Sequence, residues 1–209
     1  MIKALLLIFE PAATWEHIQA ARRSLSFILC VHLLPLLIIT AFVEGYRLTH
    51  APRAGQIKEL QALSTGQAAV YETAQFVLLL GVVFIGAKLL KSLGETFHGR
   101  HSFTQSFATV AYGLSPLFLF RLLDGLKDVP AWASWGIGIV LSIAVLYHGV
   151  WRMMEPDPPH AFGLYLMSSL LLLFITGLAR FVTAWYLQGK FHTVDAFVTS
   201  LAERLHLPL

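Results

Sequence analysis

The chain has 209 residues, of which 56% are hydrophobic and 13% are charged, and its formal net charge is +3. Soluble domains carry about 25% charged residues, so a mean hydropathy of +0.67 excludes an ordinary soluble domain of this size. Disordered, coiled-coil and collagen-like chains are excluded with it, and the small net charge indicates no nucleic-acid partner. We therefore expect an all-α polytopic membrane protein whose main partner is the lipid bilayer.

Residues 1–24 precede the first long apolar run. An apolar stretch over residues 5–9 is interrupted by Glu10 and Pro11, and a second helical stretch follows around Trp15. Because this break comes too early for the apolar core of a signal peptide, we predict an amphipathic N-terminal helix that lies in the membrane interface.

Five runs that are almost free of Asp, Glu, Lys and Arg approach the length needed to cross an apolar layer of about 30 Å. The second run is the shortest. It crosses the apolar layer only if the helix continues past Lys88, whose side chain would extend its charge to the membrane interface. The fifth carries one charge, Arg180. We predict five transmembrane helices within one domain, residues 25–187, at residues 25–43, 74–87, 102–120, 129–151 and 161–187.

Residues 188–209 place Phe197, Leu201 and Leu205 at helical intervals opposite charged residues, which predicts an amphipathic C-terminal helix. Lys and Arg are divided almost evenly between the two sides of the predicted bundle. The charges closest to span ends favour a cytoplasmic N-terminus, because Arg22 and Arg23 abut the first span.

Three segments contain a distinctive combination of aromatic, glycine and proline residues. Residues 8–18 read IFEPAATWEHI, residues 94–107 read GETFHGRHSFTQSF, and residues 111–117 read AYGLSPL. Together they resemble the Yip domain family, membrane proteins named for their interaction with Ypt/Rab GTPases, which has many bacterial members. The short region before the first span is similar to that of the bacterial members and departs from the long cytosolic region of the eukaryotic ones.

The resemblance implies five spans, a cytoplasmic N-terminus and, for a bacterial member, the cytoplasmic (inner) membrane. It also implies a non-enzymatic factor that organises membrane or binds partners in a scaffold-like or trafficking-like role. We expect a membrane-protein partner or a second copy of the chain to contact the loop between the second and third spans. The candidate contact residues of this loop are Gly94, Phe97, Gly99, Arg100 and Phe103.

Polar residues at membrane depth are costly, so they are the first candidates for a functional role. In the third span Pro116 removes the N–H that would bond to the Tyr112 carbonyl, with Ser115 beside it. In the first span His32 and Pro35 share a helix face, and His32 can donate to a carbonyl freed across the bundle. Both clusters are consistent with packing kinks or with ligand contacts.

The charged side chain of Arg180 must either pair with an acidic residue or extend to the membrane interface. Asp124 and Asp128 follow the third span on the same side, and we predict that Arg180 pairs with Asp124 as a structural tie. Arg121 and Asp124 are also spaced to satisfy each other.

Two other classes of function stay open. In a small transporter or channel subunit, His32, Tyr112, Ser115 and Arg180 would line a polar route between helices broken by proline, although no internal repeat supports alternating access. In an intramembrane hydrolase Ser115 would pair with His148, but no third residue orients such a pair.

Glu95, His98 and His101 follow one another at intervals of three, but Gly94 and Gly99 place them in a loop without a second group of ligands nearby in sequence. The sequence therefore predicts no metal and no cofactor. Several glycines within the spans predict close helix approach. They are Gly81, Gly86, Gly136, Gly138, Gly163 and Gly177.

Overall fold

The computed structural model describes residues 2–50, 63–126, 129–188 and 200, and these residues form helices and no strand. Five helical stretches are long and apolar enough to cross a membrane, which confirms the predicted all-α fold with five spans. We refer to them as the first to fifth spans: Leu25–His50, Thr65–Thr96, Phe103–Gly125, Ala131–Met154 and Pro158–Leu187. The predicted C-terminal helix and Asp128 lie outside the described residues.

The first two spans are longer than the sequence predicted. The first continues through Glu44 to His50, and the second begins at Thr65 and passes through Glu72. A charge-free run ends at the first ionisable residue, so the predicted first span ended before Glu44. In the structure Glu44 is 1% exposed and packs inside the bundle. The predicted ends at residues 43 and 74 are therefore wrong, because polar partners inside the bundle let the helices continue.

The first span contains a local change of helix type that follows from Pro35. It begins with α3 (Leu25–Phe27), continues as a π-helix over Ile28–Leu33, and becomes α4 (Leu34–His50). Proline cannot donate to the helical ladder, and just before it the Leu34 N–H bonds to the Leu29 carbonyl, five residues back. The wider π turn includes His32, and such turns often mark functional sites.

The second span is one helix, α5 (Thr65–Thr96), whereas the third is divided into α6 (Phe103–Gly113) and α7 (Ser115–Phe120). A 3-10 turn over Arg121–Gly125 completes the third span. The division falls at Leu114, since Pro116 lacks an N–H and the Leu117 N–H instead donates to the Ser142 hydroxyl at 3.2 Å. Capping boxes start α5 at Ser64 and α6 at Ser102.

The third span lies at the centre of the bundle. Every residue of α6 from Ser106 to Gly113 is buried. It packs against α5 and against α8 (Ala131–Met154), and α5 and α8 both pack against α9 (Ala161–Leu187). The core therefore surrounds the span that carries Tyr112, Ser115 and Pro116.

Close helix contact occurs at four of the six glycines selected from the sequence. A Cβ at Gly138 would lie 2.9 Å from the Leu117 Cα, and Gly86, Gly163 and Gly177 also face neighbouring side chains. Gly81 and Gly136 have nothing within 4 Å of a Cβ position, so the prediction of close approach was wrong for these two. Both face outward from the bundle, where composition alone does not distinguish packing from lipid exposure.

The N-terminal residues form two helices, α1 (Ile2–Phe9) and α2 (Pro11–Ala21). Ala4 and Leu7 of α1 are fully buried, and α1 contacts α7 in the second half of the third span. Ile2 and Phe9 on its other face are 76% and 78% exposed. The segment therefore packs one side against the bundle and turns an apolar side outward, rather than resting on the surface alone.

Candidate functional site

The polar residues of the bundle form two groups inside it and one surface at its end. The first internal group, the charge cluster, consists of two ion pairs and the polar side chains bonded to them. Arg121 pairs with Glu44, and Arg180 Nη2 lies 3.0 Å from Asp124 Oδ2. Gln75 Nε2 donates to Glu44 at 2.8 Å and the Ser134 hydroxyl donates to Asp124 at 2.7 Å.

The structure thus brings together Arg180 and Asp124, the pair selected from the sequence, and gives Arg121 a different partner. Arg121 bonds to Glu44 of the first span and not to Asp124, three residues away in its own turn. Sequence reasoning missed Glu44 and Gln75 because it placed both outside or at the very end of a span. Pairing between distant helices leaves no spacing signal in the sequence.

A cavity of about 30 Å³ lies beside the charge cluster and is bordered by Gln75, Arg121 and Arg180. Trp135 Nε1 and Arg121 Nε are buried at this border without a hydrogen-bond partner among the described residues. This volume suits one or two water molecules that accept from these donors, and it is too small for a larger solute.

The second internal group joins the first and third spans. His32 Nε2 and Ser115 Oγ are 2.7 Å apart, and the Ser115 hydroxyl lies 3.1 Å from the Ala111 carbonyl. The direction of the His32–Ser115 bond is set by the tautomer of the ring, because the Ser115 hydroxyl can donate to the imidazole or to the carbonyl. The His32 ring also packs against Tyr112, with ring centroids 4.2 Å apart.

Two relationships considered from the sequence around this group differ from the structure. His32 was expected to donate to a freed carbonyl, but it bonds to the Ser115 hydroxyl, so His148 is not the partner of Ser115. Pro35 and Pro116 act through the backbone, one at the π turn and one at the break in the third span. Ser115 is 0% exposed.

The surface at the end of the bundle, which we call the N-terminal face, consists of α2, Arg22 and Arg23 after it, and residues 97–102 and 155–160. Arg152 pairs with Glu16 at 2.7 Å, and Gln19 Nε2 donates to Glu155 at 3.3 Å. These contacts join α2 to the end of α8. With five spans, the N-terminus and both loops lie on the same side of the membrane.

Backbone strain is concentrated on this face. Among the described residues, the non-glycine residues with positive φ are Arg22, His98 and Glu155, at φ 40°, 57° and 43°. Each follows the end of a helix, a place where glycine is the usual residue. Non-glycine residues in this conformation cluster at functional sites.

Most of the candidate contact residues of the loop after α5 pack inward. A Cβ at Gly94 would overlap the His101 ring, a Cβ at Gly99 would lie 2.9 Å from the Met154 carbonyl oxygen, and Phe97 covers Gly163. Phe103 is half-buried against the core. Arg100 is exposed and is the member of this set that is free to contact a partner.

His101 shows how tightly this loop is held. Its Nε2 lies 3.3 Å from the Lys91 carbonyl, and burial lowers the pKa of its imidazole despite that hydrogen bond. A neutral ring is therefore favoured at the centre of the loop packing.

A cavity of about 410 Å³ opens on the N-terminal face. Arg22 and Arg23 border it together with the start of α6, where Ser102 and Gln105 cap the helix. Tyr112 forms part of its floor. Glu155 also lines the cavity, but the two guanidinium groups beside a helix N-terminus outnumber this carboxylate and complement an anionic group.

This geometry defines a polytopic α-helical integral membrane protein that holds two ion pairs inside its bundle and three left-handed non-glycine residues on its end surface. The sequence profile of the Yip1 domain matches residues 5–180, and the chain belongs to the Yip1 domain family. Neither a curated protein nor a solved structure matches the chain.

Proposed function

We propose that the protein is a non-enzymatic factor that organises membrane or binds a membrane partner through its N-terminal face. The observation that carries this proposal is the pairing of charges inside the bundle around a cavity of about 30 Å³. A transporter route through His32, Tyr112, Ser115 and Arg180 would need a path between the two internal groups, and this cavity does not supply one. The N-terminal face is where strained and charged residues are accessible instead.

The arrangement of Ser115 and His32 supports a non-enzymatic role. A nucleophilic serine gives its proton to a histidine base and needs substrate access. Here Ser115 is fully buried, so its hydroxyl is closed to a substrate. The pair acts as a polar tie between the first and third spans.

Two features support a lipid-organising role on one side of the bilayer. The outward side of α1 presents Ile2, Leu5 and Phe9, which can pack against acyl chains. The cavity beside Arg22 and Arg23 can receive an anionic headgroup. Extra helical volume in one leaflet, together with headgroup contacts, favours a defined local lipid arrangement. We place this face in the cytoplasm of a bacterial cell, in accord with the charges next to the spans.

Site-specific photo-crosslinking in native membranes tests the proposal. A photoreactive amino acid at Arg100, exposed on the N-terminal face, is compared with one at Trp132, exposed at the other end of the fourth span. We expect one discrete adduct at position 100, either with another membrane protein or with a second copy, and none at position 132.

Reconstituted vesicles supply the complementary measurement. The proposal predicts no ion or solute flux above that of empty vesicles. Flux that is abolished by Arg180→Met, combined with equal crosslinking at positions 100 and 132, would instead establish the transporter alternative.

A further inference from the structure

We infer that His98, Asp157 and His160 form a binding site for a divalent transition-metal ion of the zinc type. One ligand atom from each of the three side chains lies within 4.8 Å of the other two. The imidazole rings of His98 and His160 face each other with centroids 5.5 Å apart. All three side chains are exposed on the N-terminal face, so an ion can enter directly from water.

The ligand chemistry selects the class of metal. Two imidazoles and one carboxylate are a ligand set that zinc uses, with the fourth position left to water. Tetrahedral zinc with ligand bonds of about 2.0–2.1 Å brings ligand atoms to about 3.3 Å from one another. The three ligand atoms lie within 4.8 Å of one another, so binding would require them to approach by up to about 1.5 Å. Calcium and magnesium prefer oxygen ligands alone and fit this set poorly.

The backbone at His98 provides an independent indication. The Gly99 N–H bonds to the Gly94 carbonyl at 2.8 Å and the His98 N–H bonds to the Glu95 carbonyl at 3.3 Å. These two bonds are the Schellman pattern at the end of α5, and His98 occupies its left-handed position at φ 57°. Glycine is preferred there on conformational grounds, so helix termination does not explain the imidazole.

The ion would connect two loops that are distant in sequence. His98 lies between the second and third spans, whereas Asp157 directly precedes the fifth span and His160 lies in its first turn. The two segments are already adjacent, because Gly99 packs on the Met154 carbonyl at the end of α8 and Phe97 packs on Gly163 in α9. A bound ion would therefore fasten loops that are already adjacent and would stiffen the N-terminal face. The inference concerns metal binding itself and does not depend on the function proposed above.

Isothermal titration of the purified full chain with Zn²⁺ tests the site, with an affinity tag that contains no histidine. Three variants are compared with the unaltered protein. His98→Gly restores the favoured residue at the left-handed position, His160→Ala removes a ligand from the other loop, and His17→Ala removes an exposed histidine of α2 as the control.

We expect one Zn²⁺ per chain in the unaltered protein and in His17→Ala. Affinity should fall at least about tenfold in His98→Gly and in His160→Ala. Saturating Zn²⁺ should raise the Tm of the unaltered protein on the order of 5 °C. His98→Gly should keep a metal-free Tm equal to or above that of the unaltered protein, which shows that lost binding is not lost folding.

Three results would overturn the inference. They are an unaltered chain that binds no Zn²⁺ at micromolar concentration, equal affinity in all four proteins, and a loss in His17→Ala that matches the loss in the two ligand variants. None of these depends on crosslinking at position 100, so metal binding and partner binding can fail separately.

Discussion

Glu44 and Arg121 are 77 positions apart in the sequence and form a buried ion pair inside the bundle. Glu44 is in the first span and Arg121 begins the last turn of the third. Gln75 of the second span bonds to the same carboxylate. One carboxylate therefore connects three spans, and both charged partners are almost completely shielded.

Removing the Glu44 charge should destabilise the protein strongly. Glu44→Gln leaves Arg121 buried without a counter-charge, and breaking one side of a buried pair costs about 3–5 kcal/mol. Thermal unfolding in detergent measures this loss as a lowered Tm.

Glu72 provides the matched control, since it is also a glutamate of these two spans. Both of its carboxyl oxygens are buried without a hydrogen-bond partner among the described residues. Glu72→Gln should change the free energy of unfolding by less than about 1 kcal/mol or raise it, because no pair is broken. Equal losses in the two variants would refute the role given to the Glu44–Arg121 pair.

Gly138 and Gly136 test the packing of the fourth span from two positions of one helix. Gly138→Ala forces a Cβ to 2.9 Å from the Leu117 Cα, which should cost about 1–3 kcal/mol. Gly136→Ala meets nothing within 4 Å and should gain about 0.5–1 kcal/mol from better helix propensity. Denaturation of both variants in the same detergent gives the comparison, and a loss at Gly136 equal to that at Gly138 would contradict the packing.

Trp15 is expected to anchor the N-terminal segment to the bundle. Its ring is fully buried against Gly149 and its Nε1 donates to the Val145 carbonyl at 2.9 Å. Trp15→Phe should lose about 1 kcal/mol for the hydrogen bond, and Trp15→Ala about 3–5 kcal/mol for the ring as well.

Hydrogen exchange of the α1 and α2 amides locates this effect. Exchange should become faster in Trp15→Ala than in Trp15→Phe, while α9 stays protected in both. Unchanged protection of α1 and α2 in Trp15→Ala would show that the segment is held by other contacts.

The sequence predicted the span count because an apolar run long enough to cross a bilayer has a length and composition that stand out from other chain segments. It also selected Arg180 and Asp124 correctly as residues that lie together. It could not assign Glu44 to Arg121, since that contact depends on how the first and third spans pack. The same limit applies to His98. The residues that would bind a metal ion together with it, Asp157 and His160, lie two spans further along the chain.

A variant of Ser115 distinguishes a structural role of this residue from a catalytic one. Ser115→Ala removes the hydrogen-bond partner of His32 Nε2, and the unsatisfied buried nitrogen should cost about 1–3 kcal/mol. The adduct at position 100 should persist, because the N-terminal face does not depend on this hydroxyl. A fluorophosphonate probe should label neither the unaltered protein nor the variant, since Ser115 is fully buried and the probe cannot reach its hydroxyl. Labelling that disappears in Ser115→Ala would identify Ser115 as a nucleophile and would replace the non-enzymatic proposal.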